Sequence, residues 1–124
     1  MDKPFLGLRT VIYPVPDIEA AKQWYTTAFQ QLPYFDETFY VGYNIGGYEL
    51  GLMPDSLTNK DGETGTAYWG VIDIEAAFNH MVNLKATVKD EPYDVGGDVK
   101  VAVVKDPWGN YIGLIYNPHF KAQH

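Results

Sequence analysis

The chain has 124 residues, 46% of them hydrophobic and 20% charged, which suits one globular domain with a single sizeable core. It contains no cysteine, which excludes disulfides, thiolate nucleophiles and zinc–thiolate sites. The formal net charge is −7 and the nine Lys and Arg residues are scattered, so we expect no binding to nucleic acid or to anionic membranes.

The first half of the chain predicts one strand, one helix and three further strands. The apolar run 8–15 reads as a strand, and Asp17 stands where a helix N-cap belongs, with Glu19 in the first turn. Apolar residues then recur at helical spacing, which predicts a helix with one buried face. That face consists of Ile18, Ala21, Trp24, Tyr25, Ala28 and Phe29. Strand-like segments follow at 34–38, 39–45 and 48–53, the last two joined by a Gly46-Gly47 turn.

The second half repeats this pattern after a polar link. The sequence Asp-Ile-Glu-Ala-Ala begins at Asp17 and again at Asp73, an offset of 56 residues (73 − 17). The second copy follows a strand-like run at 66–72 and opens a second helical pattern. Strands are predicted at 87–93, 99–105 and 111–116, separated by turns at 96–98 and 106–110. The element order is therefore βαβββ twice.

Two such modules predict an α+β fold. Their strands can pair into a curved, mostly antiparallel sheet with the helices outside and a cleft on the inner side. We expect a single domain over 1–124, with an N-terminal module at about 5–54, a linker at 55–64 and a C-terminal module at about 65–118. A module of about 60 residues buries too little surface to be more than marginally stable alone.

Three motifs give this order a family resemblance. They are the segments Val15-Pro16-Asp17-Ile18-Glu19, Trp24-Tyr25 and Asp106-Pro107-Trp108-Gly109-Asn110. At these spacings the chain resembles the glyoxalase/bleomycin resistance/extradiol dioxygenase superfamily, also called the vicinal oxygen chelate proteins. The resemblance implies the fold described above but no single activity, because this fold carries isomerases, dioxygenases and non-catalytic drug-binding proteins.

The resemblance also implies where a divalent metal would be held. The two histidine positions of the family fall at Thr10 and Thr66, and the two glutamate positions at Glu49 and Gly113. Only Glu49 offers a metal ligand, and first-row metals prefer converging imidazole and carboxylate groups. The three histidines lie elsewhere: His80 on the second predicted helix, His119 and His124 in the C-terminal tail. We therefore expect no metal cofactor; the alternative is a divalent metal held through non-standard ligands.

Strand alternation predicts the lining of the cleft. If Glu49 points inward, side chains at even spacing on the neighbouring strands do so too. The predicted ligand-binding residues are Thr10, Ile12, Glu49, Thr66, Tyr68, Trp108, Tyr111 and Gly113. Glycines would leave room between the rings. For Glu49 three roles stay open: a catalytic general base, a partner for a ligand cation, or an ordinary hydrogen-bonded residue.

The function that these observations predict is metal-independent binding of a small aromatic or cationic molecule in a tyrosine-rich cleft. The first alternative is a glyoxalase-like lyase or isomerase, or a dioxygenase, that uses an unrecognised metal site. The second is a non-catalytic interaction module. We also expect a homodimer, because open sheet edges invite pairing. The absence of a signal peptide pattern and of any apolar run of roughly 20 residues predicts a cytoplasmic protein.

Overall fold

The computed structural model describes residue 4 and residues 8–54 and 66–120. The expected linker at 55–64 and His124 lie outside the described residues. The chain divides into two compact units, Met1–Thr58 and Asn59–His124, which correspond to the two sequence repeats.

The first unit contains one helix and a four-stranded mixed sheet. Its elements are β1 (Thr10–Val15), α1 (Ile18–Phe29), β2 (Phe35–Glu37), β3 (Tyr40–Ile45) and β4 (Tyr48–Pro54). The strand order is β1-β4-β3-β2, with β1 parallel to β4 and the other pairs antiparallel. The crossover through α1 and two hairpins is what lets β1 lie beside β4, the last strand of its own repeat.

Local chemistry sets the ends of α1, and burial of one face holds it on the sheet. The Asp17 carboxylate accepts hydrogen bonds from the backbone N–H groups of Glu19 and Ala20, and Gln30 ends the helix in the left-handed conformation (φ 54°). The apolar face of the helix covers alternate side chains of the sheet, which form the core of this unit. The core residues are Tyr13, Val15, Ala21, Tyr25, Ala28, Val41, Tyr43, Leu50 and Leu52.

The second unit has the same architecture. Its elements are β5 (Ala67–Gly70), α2 (Ile74–Asn83), β6 (Thr87–Gly96), β7 (Val99–Lys105) and β8 (Tyr111–Tyr116). The strand order is β5-β8-β7-β6, with β5 parallel to β8. The buried face of α2, formed by Ile74, Phe78 and Met81, belongs to the core of this unit.

The predicted order of elements and the α+β fold are confirmed, and the differences lie at strand ends. β1 begins at Thr10 rather than at residue 8, and β5 is confined to Ala67–Gly70. β6 extends to Gly96, beyond the expected end at Tyr93, because three register shifts let the ladder with β7 continue. Among the described residues no helix is both long and apolar enough to cross a membrane.

Candidate ligand-binding site

The first sheet has one face under α1 and one face that this helix leaves uncovered, called the open face below. Thr10 is the direct partner of Glu49 in the β1–β4 ladder, and Ile12 is the partner of Gly51. Paired residues of adjacent strands project from the same face, so these four positions lie together. Thr10 is exposed, Ile12 is 46% exposed and Glu49 is half-buried. The structure thus brings together three of the side chains predicted to bind a ligand.

Two tyrosines hold the Glu49 carboxylate. The Tyr34 hydroxyl donates to Oε1, and the Tyr40 hydroxyl donates to Oε2 at 2.5 Å. Tyr34 is anchored just before β2, because its backbone N–H donates to the Gly42 carbonyl at 3.0 Å. Each carboxylate oxygen therefore has its own phenol donor, which fixes the orientation of the negative charge.

The glycines beneath this cluster make room for the tyrosine rings. A Cβ atom at Gly51 would collide with the Tyr40 hydroxyl and would stand 2.6 Å from Cζ of the same ring. A Cβ atom at Gly42 would meet both Tyr34 and Tyr40 at 3.4 Å. The expectation that glycine leaves open space for a ligand is therefore wrong at Gly51, where the Tyr40 ring fills the space.

Tyr40 and Tyr43 lie on opposite faces of β3, as their spacing predicts. The Tyr43 ring is fully buried under α1, and its hydroxyl donates to the Lys22 carbonyl and lies 2.9 Å from Thr26 Oγ1. Burial raises the pKa of both phenols above the usual 10.0. Tyr40 therefore stays protonated at neutral pH and remains a donor to Glu49.

A small open depression lies next to the carboxylate. Its volume is about 100 Å³, and its lining consists of Tyr34, Asn44, Gly47, Tyr48 and Glu49. The Asn44 side chain is held at the rim by accepting the Gly47 backbone N–H at 2.8 Å. Drug-sized ligands need pockets of about 300–1,000 Å³, so this depression has room for a headgroup only.

The second unit holds the remaining predicted ligand-binding residues. The Tyr68 ring covers Gly113, its direct partner, so closely that a Cβ atom there would lie 2.6 Å from Cδ2 of the ring. Gly113 therefore opens no space either. Thr66 immediately precedes β5, Tyr111 begins β8, and both are half-buried.

The turn that contains Trp108 is a closed hydrogen-bonded unit. Asp106 and Asn110 are only 2% and 1% exposed. The Asp106 carboxylate accepts from the backbone N–H groups of Trp108 and Asn110 and from the Asn110 side-chain amide, at 2.8–2.9 Å. This part of the family motif acts structurally, because it satisfies buried polar groups between β7 and β8.

The strand pairing within each sheet follows the sequence repeat. Ile12 precedes Tyr68 by 56 residues (68 − 12), the same offset as the two helix caps. Ile12 pairs with Gly51, and Tyr68 pairs with Gly113. Gly51 and Gly113 are therefore equivalent positions on β4 and β8, and each lies under a tyrosine ring.

This equivalence relates Glu49 to Tyr111. Two residues before Gly51 stands Glu49, and two residues before Gly113 stands Tyr111. The counterpart of Glu49 on β8 is therefore Tyr111, and the counterpart of Gly113 on β4 is Gly51. Thr10 pairs directly with Glu49, and Thr66 follows Thr10 by the same 56 residues (66 − 10), so Glu49 stays in register with both threonine positions.

The residues at the family's metal positions do not fit a divalent metal. Thr10 and Thr66 offer only neutral hydroxyls, Gly113 has no side chain, and Glu49 is the single carboxylate among the four positions. Within residues 8–54 and 66–120 no three His, Cys, Asp or Glu side chains are grouped as a metal site. His80 lies on α2, and exposed His119 has its Nε2 2.9 Å from the Gly97 carbonyl oxygen. At the open face, the chemistry centred on Glu49 is that of one carboxylate held by two phenols.

Sequence reasoning missed Tyr34 and Tyr40 as site residues. A signal was present, since Gly42 and Gly51 interrupt two neighbouring strands, and glycine inside a strand often marks the close approach of another group. Neither strand periodicity nor spacing indicates which ring will lie on such a glycine.

Comparisons with known proteins agree with this fold. A family model described as Glyoxalase/Bleomycin resistance protein/Dioxygenase superfamily matches residues 7–114. A glyoxalase-related enzyme from Fulvimarina pelagi is similar in structure, with TM-score 0.77 and 14% identity over 96% of this chain and 94% of that chain. Lactoylglutathione lyase from Agrobacterium tumefaciens gives TM-score 0.74 and 16% identity over 95% and 100% of the two chains.

A glyoxalase/bleomycin resistance protein from Albidiferax ferrireducens T118 gives TM-score 0.72 and 21% identity over 90% of this chain and 98% of that chain. No protein of curated function matches the sequence. At these identities the structural likeness establishes the fold and leaves the activity to the site itself.

Proposed function

The chain belongs to the Glyoxalase/Bleomycin resistance protein/Dioxygenase superfamily, and on this premise we propose that it binds a small organic cation without a metal. The cation carries an aromatic or apolar body, and its charged end lies at the open face of the first unit. The observation that carries this proposal is the Glu49 carboxylate held between the Tyr34 and Tyr40 hydroxyls.

The charge and the rings at this face favour a cation. A carboxylate beside aromatic rings attracts positive charge twice, once by Coulomb attraction and once through the negative faces of the rings. The net charge of −7 adds a general attraction for cations at low ionic strength. An anionic ligand would meet repulsion from Glu49 at close range.

Apolar side chains around the carboxylate suit the body of such a molecule. Ile12 is 46% exposed on β1, and Met53, on the same face of β4 as Glu49, is 43% exposed. Tyr34 is 64% exposed despite its hydrogen bond to Glu49. Covering these side chains removes apolar surface from water, at about 25 cal/mol for each Å².

Binding fits the geometry better than proton abstraction. Each oxygen of Glu49 accepts from one phenol and keeps a further lone pair that can attract a ligand cation. The first unit, Met1–Thr58, contains no histidine to share acid–base work. A ligand cation can approach the carboxylate without breaking either phenol bond.

The proposal is tested by calorimetric titration with phenethylamine, 2-phenylethanol and phenylacetate, which share one ring and differ in charge. Only the cation is expected to bind measurably. Glu49→Gln should weaken cation binding about tenfold or more, the equivalent of ~1.4 kcal/mol. Glu19→Gln removes the same charge at an exposed residue of α1 and is the matched control, with affinity expected to stay within about twofold.

Two results would contradict the proposal. One is tighter binding of the alcohol or the acid than of the amine. The other is equal loss of affinity in the two variants, which would mean that only net charge matters. Titration in the presence of EDTA tests whether binding needs a metal. The affinity for the cation is expected to be the same with and without the chelator.

A further inference from the structure

The directions of the hydrogen bonds at Glu49 specify the chemistry of the headgroup. An ionised carboxylate has acceptors only, and a phenol has a single hydrogen. Tyr34 and Tyr40 each use that hydrogen on Glu49. Both phenol oxygens are therefore left with lone pairs that can accept from a ligand and with no hydrogen to give it.

The acceptors of the depression are concentrated around the carboxylate. It is lined by Glu49 and Tyr34, and Asn44 contributes at the rim a side-chain oxygen already oriented by the Gly47 N–H. The other polar side-chain groups of the lining are the Asn44 amide N–H groups, which are donors, and the Tyr48 hydroxyl, which can rotate to accept from a ligand. Its volume of about 100 Å³ admits a group of a few heavy atoms. A headgroup that satisfies such a surface must bring hydrogens and positive charge together.

We propose that the ligand enters this depression with a positively charged nitrogen that carries at least two N–H bonds. The class comprises primary ammonium, amidinium and guanidinium groups. This inference rests on the proposed function and narrows it, because a quaternary ammonium would satisfy the charge and the rings but none of the acceptors. The apolar body of the molecule lies outside the depression, which is too small to hold it.

A methylation series tests the inference with one ring and one charge held constant. The probes are phenethylamine, its N,N-dimethyl derivative and its N,N,N-trimethylammonium derivative, titrated calorimetrically into the full-length protein at pH 7. Affinity is expected to fall at each step, and the primary amine should bind about tenfold or more tighter than the trimethylammonium compound. Loss of N–H donors costs affinity although methylation adds apolar surface.

Glu49→Gln and Glu19→Gln provide the matched pair of variants. Glu49→Gln is expected to weaken the primary amine more than the trimethylammonium compound and so to reduce the preference to about threefold or less. Glu19→Gln should leave the preference as in the wild type, because that side chain lies on α1. Far-UV circular dichroism of both variants checks that they are folded.

The possible failures are distinguishable. If the primary amine and the trimethylammonium compound bind equally, or if the latter binds more tightly, and both depend on Glu49, the N–H requirement is overturned and cation binding stands. If no member of the series binds, the proposed function itself fails. A preference for N–H that persists in Glu49→Gln would locate the headgroup elsewhere and overturn the inference.

Discussion

The two sheets solve the same steric problem with different chemical results. Gly51 and Gly113 occupy equivalent positions, and a tyrosine ring covers each. Tyr68 covers Gly113 from the directly paired position on β5, whereas Tyr40 reaches Gly51 diagonally from β3. Only the diagonal ring extends to a carboxylate two residues away, Glu49.

In both sheets the missing side chain of a strand glycine makes room for an aromatic ring, and the neighbouring residue on the same face decides the polar chemistry. In the first sheet the neighbour is Glu49, and the ring becomes part of a charged cluster. In the second the corresponding position is Tyr111. The first unit therefore has a charged cluster beside its covered glycine, and the second unit has a tyrosine at the corresponding position.

The largest loss of stability is expected in the turn before β8, and a much smaller loss is expected in the turn before β4. Asp106→Ala should lower the free energy of unfolding by ~3 kcal/mol, because it removes the acceptor of three hydrogen bonds, two of them buried and one part-buried. Asn44→Ala removes one exposed bond to Gly47 and should cost only ~0.5 kcal/mol. Urea denaturation of both variants measures the contrast, and equal losses would refute it.

The next effect concerns the two covered glycines. Gly113→Ala places a Cβ 2.8 Å from the Ala67 backbone oxygen as well as against the Tyr68 ring. At Gly51 the three atoms nearest to an added Cβ all belong to the outer part of the Tyr40 ring, which can move aside. We expect losses of ~3 kcal/mol for Gly113→Ala and ~1 kcal/mol for Gly51→Ala in urea denaturation.

Removal of the covering ring tests what excludes a side chain at each glycine. Tyr40→Ala should relieve the clash created by Gly51→Ala, whereas Tyr68→Ala should relieve Gly113→Ala only in part, because the backbone oxygen stays in place. Complete relief by Tyr68→Ala in a double-mutant cycle would show that the ring alone excludes a side chain at Gly113.

A smaller effect is expected at the two helix caps. The Asp17 carboxylate accepts hydrogen bonds from two backbone N–H groups at 3.1 and 3.2 Å. The Asp73 carboxylate accepts one from the Ala76 N–H at 3.1 Å. Replacement of either by Ala should cost ~1 kcal/mol, with Asp17→Ala the larger by a few tenths. Thermal unfolding followed by circular dichroism checks the order, and a larger loss for Asp73→Ala would reverse it.

The smallest expected effect on stability comes from the buried Tyr43 phenol of the first unit and is seen only at alkaline pH. Burial raises the pKa of Tyr43 above 10.0, so the unfolded chain loses this proton first as pH rises. The stability from the neutral buried phenol is complete below pH 10 and is lost as pH rises through the folded-state pKa. Tyr43→Phe should therefore show a shallower loss of stability above pH 10 than the wild type, measured by urea denaturation at several pH values.

A good part of the fold was predictable because its signals are local. The duplicated Asp-Ile-Glu-Ala-Ala segments placed both helices, and the turn at 106–110 placed the last hairpin. The candidate site was predictable only in part. Alternation put Thr10, Ile12 and Glu49 on one face, but Tyr34 lies outside the strand whose periodicity would have placed it.

Residues close together in the chain set the order of the elements, the helix caps and the repeat, and no histidine falls in the described strands. The register that equates Gly51 with Gly113, and the rings that cover these glycines, depend on contacts between residues far apart in the chain. The alternation of side chains along a strand shows only that successive residues project from opposite faces of the sheet. Which side chain crosses to the next strand depends on packing in three dimensions.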